Sequence, residues 1–262
     1  MRFGVVTLFP ETVVAALGVG VVGRAIGRGL VGLDVENPRD HAADVHGTVD
    51  GRPFGGGPGM VMRPGPLVAA VRALKARVGE GARVVCLGPQ GRRFDQATAR
   101  DWAGGGRGIV LIAGRYEGID ERVVESVVDE EVSLGDFVLS GGEFAALAMI
   151  DATARLVPGV LGHGDSADQD SFGETAFGGA GGLDCPHWTR PETFEGRRVP
   201  EVLLSGDHER IRRWREARAA ERTRARRPDL LAEAGDAAAT HGRRPPGGRR
   251  TSTNDRTEET GP

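Results

Sequence analysis

Three apolar runs in this chain each lead into a compact glycine turn: Leu87-Gly88-Pro89-Gln90-Gly91, Ala113-Gly114-Arg115-Tyr116-Glu117-Gly118 and Val138-Leu139-Ser140-Gly141-Gly142-Glu143. Glycine lets backbone N–H and C=O groups come close to a small molecule, so three such turns at one edge of a parallel sheet would frame a cofactor pocket. A single turn is only what any α/β protein needs between strand and helix. Three together, one carrying Arg115, Tyr116 and Glu117, favour the pocket. The common phosphate signatures are missing. Neither Gly-x-x-x-x-Gly-Lys-Ser/Thr nor a Gly-x-Gly-x-x-Gly directly after the first strand is present, which weakens a nucleoside triphosphatase or a nicotinamide dehydrogenase. The run Phe54-Gly55-Gly56-Gly57-Pro58-Gly59-Met60 follows no predicted strand and reads as a shaped surface loop.

Ionisable residues outside the turns carry weaker signals. Arg155 stands four residues after Asp151 on a predicted helix, the spacing of an ordinary ion pair. Asp165, Asp168 and Asp170 read by themselves as solvated loop carboxylates, without the spacing of an EF-hand. His46, His163 and His187 have no ligand spacing among themselves. Cys86 and Cys185 offer neither a disulfide framework nor a zinc pattern. Arginines crowd the segment after Asp207, at 210, 212, 213, 215, 218, 222, 224, 226 and 227, and Glu209, Glu216 and Glu221 balance them only in part. Such a face suits phosphate binding, and a charged solvated helix is the plainer alternative.

The elements that must position these residues follow from hydrophobic pattern. Residues 3–8, 33–36, 83–87, 109–113 and 131–138 read as strands, and 67–78 and 143–157 as the clearest helices, an α/β alternation typical of a parallel sheet. Gly, Ser and Asp dominate from 162 to 184, which reads as a flexible linker. Asp207 is a predicted N-cap for a helix running to Arg227 and stopped by Pro228. Beyond about residue 232 the chain has almost no large apolar side chain and reads as a disordered tail. At 262 residues the chain can bury a core without staples. Its net charge of −3 gives no overall attraction to nucleic acid, so any such attraction must be local. The N-terminus reaches Phe9-Pro10-Glu11 too early for a signal peptide, and no apolar run approaches a membrane span. These features lead us to expect a soluble protein of the reducing cytoplasm, without a membrane partner.

Taken in order, a set of strings resembles the tRNA (guanine-N1)-methyltransferases of the knotted SpoU-TrmD (SPOUT) superfamily. They include Leu8-Phe9-Pro10-Glu11, Pro38-Arg39-Asp40, Thr48-Val49-Asp50, the loop from Gly55 to Met60, Gly114-Arg115-Tyr116-Glu117-Gly118-Ile119-Asp120, Leu139-Ser140-Gly141-Gly142-Glu143, Asp170-Ser171-Phe172, Asp184-Cys185-Pro186-His187 and Ile211-Arg212-Arg213-Trp214-Arg215. The resemblance implies an α/β fold with a parallel sheet and a trefoil knot over residues 1–162, and a linker over 163–187 carrying the catalytic aspartate. It further implies a small C-terminal helical domain binding tRNA over 188–232, ahead of the tail at 233–262. The implied reaction is transfer of a methyl group from S-adenosylmethionine to N1 of guanosine 37, next to the anticodon, by a homodimer acting on the anticodon stem-loop.

Carried over residue by residue, the resemblance makes Asp170 the base and Arg155 the stabiliser of charge on guanine O6. It places the methyl donor at Leu87, Pro89, Gly114, Tyr116, Glu117, Leu134, Gly135, Leu139, Gly141 and Gly142. Asp50, Arg52, Arg212, Arg213 and Arg215 are the matching substrate positions. Magnesium is admitted as a second cofactor, with Glu117 as one candidate for orienting it and no dedicated metal site assigned. A knotted methyltransferase acting on another nucleoside, and a noncatalytic RNA-binding protein of the same fold, are the competing readings.

Overall fold

Short apolar runs alternating with amphipathic segments can bury themselves as a sheet covered on both faces, and the computed structural model has that form. It describes residues 1–162, 166–173, 175–176 and 181–231; His163, Asp165, part of the glycine-rich stretch at 173–182 and the tail from 232 lie outside them. The chain divides after Gln169 into two units. In chain order the first unit contains β1 (Arg2–Val6), α1 (Pro10–Leu17), α2 (Gly20–Gly27), β2 (Gly32–Glu36), β3 (Asp50–Gly51), β4 (Val61–Met62) and α3 (Pro64–Val78). It continues through β5 (Arg83–Arg93), α4 (Gln96–Gly104), β6 (Ile109–Ala113), α5 (Glu121–Val127), β7 (Glu130–Ser133), α6 (Glu143–Ala154) and the single turn α7 (Ser166–Gln169).

The main sheet has the order β2-β1-β6-β5-β7, and its paired neighbours run parallel. Alternation along the strands sends Phe3, Val5, Ile109 and Leu111 into one apolar layer with α1, α2, α4 and α6. Val6, Val110 and Ile112 enter the opposite layer with α3 and Val123 of α5. All five residues of β6 are buried, as befits a central strand covered on both sides. No single helix among the described residues is long and apolar enough to cross a membrane. The apolar pair α1 and α2 is bent by 92° and buries Val13, Leu17, Val22 and Ala25 in the core.

Several details depart from the pattern read in sequence. Gly18, Gly20 and Gly23 do have the Gly-x-Gly-x-x-Gly spacing, but they join two helices rather than a strand and a helix. A Cβ at Gly23 would collide with the Gly18 carbonyl, so the glycine serves helix packing. Strand β5 does not end at Leu87. It bulges out over 88–91 and pairs again with β7 through Arg92 and Arg93, so the first glycine turn interrupts a strand instead of leading to a helix. Strand β7 stops early because the Ser133 hydroxyl donates to Gly135 O (3.0 Å) and accepts from Gly135 N (3.2 Å), turning the backbone away from the ladder.

Helix α4 is held at its start by Asp95, whose carboxylate accepts from both the amide and the hydroxyl of Thr98, each at 2.7 Å. Burial alone would raise this carboxyl, but the Thr98 hydrogen bonds and the charge of Arg92 outweigh it and hold it below its ordinary 3.8. A depressed carboxyl contributes stability that is present above its unfolded pKa and is lost as pH falls through the folded value. Asp95→Ala should therefore lower stability by about 1 kcal/mol at neutral pH. The deficit should begin to shrink below roughly pH 4, where the carboxyl of the unfolded chain takes up its proton, and go on shrinking as pH falls through the lower value of the folded cap. Thermal melts of both proteins at pH 7 and pH 3 check this; an equal difference at both pH values would contradict the cap.

In the second unit, β8 (Thr193–Phe194) and β9 (Arg197–Arg198) form a hairpin, followed by α8 (Glu201–Leu204) and α9 (His208–Arg226). Asp207 caps α9, accepting from Arg210 N at 3.0 Å. Ala219 and Thr223 of α9 are buried, and Thr223 Oγ1 accepts from Leu183 N at 3.0 Å. Nearby, Asp184 N donates to Ser171 Oγ (3.0 Å) and Phe172 N to Gly182 O (2.8 Å), so the backbone just after Asp170 is paired with the segment that lies on α9.

Candidate active site

The carboxyl ends of parallel strands are where loops can gather around a ligand, and here the loops after β6 and β7 and the bulge of β5 close around one cavity of about 330 Å³. Its lining includes Leu87, Pro89, Gly114, Tyr116, Glu117, Leu134, Gly135, Leu139, Gly141 and Gly142, all ten of the positions assigned to a methyl donor. Residues 87 to 142 are thus brought together by strand order, with β6, β5 and β7 adjacent.

Close backbone approach explains the glycines. Gly142 N donates to Gly114 O at 2.9 Å, and a Cβ on Gly142 would lie 2.7 Å from Ala113 Cα. At Gly91 a Cβ would collide with the backbone between Glu131 and Val132. Tyr116 adopts φ 62°, a left-handed conformation that is rare for a non-glycine residue and is held here by the surrounding turn.

The glycine-rich surface loop has a definite task. Glu117 N donates to Met60 O, and Met62 N to Gly118 O, both at 3.0 Å. A Cβ at Gly59, which has φ 75°, would strike the Glu117 carboxylate. The loop therefore backs the second turn. Asp50 pairs in register with Met62 across the β3–β4 ribbon, and the exposed Arg52 follows it.

The electrostatics of the cavity are lopsided. Glu117, Glu121 and Glu131 line it, with Arg115 as the cation among the lining residues. Cys86, at its inner end, is pushed up to about 12, first by burial and then by the charges of Glu131 and Glu121. Burial is the larger cause, and the two carboxylates add to it in disfavouring the thiolate.

Arg155 caps the end of α6 and does not line this cavity; it lines a second one, of about 560 Å³, together with Arg100, Pro158 and Asp168. Asp170 opens the second unit. There, Arg212 pairs with Glu209 (2.9 Å) and Glu216 (2.6 Å), and Arg213 with Glu209 (3.0 Å), exposed pairs of little energetic weight. The charge of Arg215 reaches Cys185, opposing burial and Asp184, which together push that thiol up to about 11. Donor atoms of Asp184, Cys185 and His187 lie within 4.8 Å of one another. Asp184 already accepts from Cys185 N (2.6 Å) and pairs with His187 Nε2 (2.8 Å), so the group forms a hydrogen-bonded loop.

The fold and site define an α/β protein with a small-molecule cavity at the carboxyl edge of a parallel sheet, in a chain that also bears an arginine-rich helix. A family model described as tRNA (Guanine-1)-methyltransferase TrmD matches residues 1–233. A protein named tRNA (guanine-N(1)-)-methyltransferase from Hahella chejuensis is 58% identical over 229 residues, covering 87% of this chain and 86% of the relative. Similar proteins of the same name come from Pseudoalteromonas translucida, 55% identical with 87% of each chain covered, and Nitrosococcus oceani, 57% identical with 88% and 89% covered. The chain belongs to the TrmD family of tRNA (guanine-1)-methyltransferases.

Proposed function

We propose that this chain methylates N1 of guanosine 37 in tRNA, beside the anticodon, using S-adenosylmethionine, a modification that supports reading-frame maintenance. The observation that carries this reading is the convergence of all ten donor positions on one cavity, in a chain of the TrmD family. The donor fits the residues present. The cavity falls in the size range of small-molecule sites, roughly 300–1,000 Å³, its glycine backbone leaves room for close approach, and its three carboxylates suit a guest bearing a sulfonium and an ammonium.

Bound there, S-adenosylmethionine supplies an electrophilic methyl group on sulfur. Guanine N1 carries a proton and is a poor nucleophile until a base removes it. Asp170 is assigned that proton, and the Arg155 guanidinium the negative charge that grows on O6 as the N1–H bond breaks. The glycine turns would hold the donor in a fixed position for transfer of its methyl group to N1. Glu117, Glu121 and Glu131 are oxygen donors of the kind magnesium accepts, and that ion is a second component of this reading, with Glu117 the first candidate for orienting it.

We assign residues 1–162 to a knotted catalytic domain, 163–187 to the linker that delivers Asp170, 188–232 to a helical tRNA-binding domain and 233–262 to a tail. Asp50, Arg52, Arg212, Arg213 and Arg215 are assigned to the anticodon stem-loop. A cytoplasmic homodimer completes the assignment. The exposed side chains of Phe137, Val138 and Phe144 in the first unit support association.

Methyl transfer to tRNA transcripts that differ only at position 37 tests the proposal. Methylated guanosine should appear in the G37 transcript alone, recovered as the N1-methyl nucleoside. Modification of a different nucleoside would assign another reaction to the same pocket, and absence of both transfer and donor binding would leave an RNA-binding protein.

A further inference from the structure

Glu143, at the first position of α6, is 1% exposed and is not part of the cavity lining. A carboxylate in that setting is strongly disfavoured unless it is paired and hydrogen-bonded. Its Oε1 accepts from the buried Thr7 hydroxyl at 2.7 Å and from Arg115 Nε at 3.3 Å, and its Oε2 lies 3.0 Å from Arg115 Nη2. That last approach is an ion pair without hydrogen-bond alignment, so Oε2 has no hydrogen-bond donor among the described residues. Arg115 in turn donates from Nη1 to Ser140 O at 3.1 Å and lies 4.4 Å over the Phe9 ring, while Phe9 N donates to Thr7 Oγ1 at 3.0 Å.

The connections are selective. Arg115 belongs to the second glycine turn and Ser140 to the third, and both line the cavity. Glu143 and Thr7 stand behind them, 136 residues apart in sequence. A Cβ on Gly141 would strike Arg115 Nε and the Glu143 carboxylate, so the ion pair fills the space directly beneath the third turn. Phe9, in a string that no catalytic step uses, closes the outer side of the guanidinium.

We infer that Glu143 is a positioning residue for donor binding: anchored by Thr7, it orients Arg115 so that the second and third glycine turns keep the spacing the donor needs. The inference rests on the proposed methyltransferase reading. Glutamine at 143 preserves shape and an acceptor for Thr7 but removes the charge that holds the guanidinium. Valine at 7 preserves shape but removes the hydroxyl, whereas serine retains it.

The experiment uses the full chain and compares wild type with Glu143→Gln, Thr7→Val and Thr7→Ser. It measures S-adenosylmethionine affinity by calorimetry, KM for donor and for tRNA, kcat, and the melting temperature. Glu143→Gln should weaken donor binding about tenfold or more, because a buried hydrogen-bonded charge pair has lost one member. KM for tRNA should stay at the wild-type value. Thr7→Val should show a smaller loss, and Thr7→Ser should restore wild-type affinity. A folded Glu143→Gln with wild-type donor affinity, whatever its melting temperature, would overturn the inference. Should Glu143→Gln fail to fold, the threonine pair decides: equal donor affinity in the valine and serine variants rejects it, and a loss confined to valine supports it. A wild-type chain without donor affinity would instead remove the functional reading, and this inference with it.

Discussion

Asp170→Asn is expected to reduce methyl transfer by about 100- to 10,000-fold, the span typical of removing a general base, while donor affinity stays within about twofold of wild type. Asparagine matches aspartate in shape but cannot take up a proton from guanine N1. Around it, Gly173 N donates to the main-chain oxygen of Asp170 at 2.9 Å, Phe172 N donates to Gly182 O and Ser171 Oγ accepts from Asp184 N, pairings that asparagine at 170 leaves in place. A single-turnover assay with saturating donor and tRNA isolates the chemical step. Wild-type turnover in the variant would remove Asp170 as the base and direct attention to Asp168, the neighbouring carboxylate that lies 3.9 Å from Arg100.

Gly142→Ala is expected to cripple donor binding through geometry alone. Gly142 has φ −73°, a conformation alanine adopts freely, so backbone strain has no part in the effect. The added methyl group would meet Ala113 Cα at 2.7 Å and Gly114 N at 3.1 Å, and backbone atoms of a buried strand end cannot swing aside as a flexible side chain can. Forcing a methyl group into packed surroundings costs about 1–3 kcal/mol, which corresponds to about a ten- to hundredfold loss of affinity where the strain opposes the bound geometry. Calorimetry with S-adenosylmethionine measures it. Gly65→Ala is the control, since open space surrounds that glycine in α3 and helix propensity favours alanine. Equal donor affinity in Gly142→Ala and wild type would show that the second and third turns need not touch.

Legibility in the sequence depended on the physics of each element. Strand β6 (Ile109–Ala113) was readable to the residue because a strand buried on both faces must be apolar throughout. The start of α9 was readable because an N-cap is a local device, needing only Asp207 and the amide of Arg210. Strand β5 resumes after its bulge through Arg92 and Arg93, two exposed arginines without any strand-like pattern. The apolar residues Leu134, Phe137 and Val138 suggested a longer β7, yet one serine hydroxyl ends that strand. Helix α1, with Pro10 at its start, and helix α2, rich in glycine, were hidden by composition.

The cavity shows the same division. The glycine turns were visible as spacing, but the resemblance, not periodicity, selected the ten positions that line it. The bond between Thr7 and Glu143 spans 136 residues and carries no local signature. A lone glutamate opening an otherwise apolar helix was the available sign, and it acquires meaning only when the strand order places it behind Arg115.

The three glutamates around the cavity bear on the aftermath of the reaction as much as on its approach. A site whose surroundings favour positive charge retains a sulfonium more firmly than the neutral thioether left once the methyl group has departed. Under the proposed reading, the product, which has lost the sulfonium charge, would be held less firmly there than the donor.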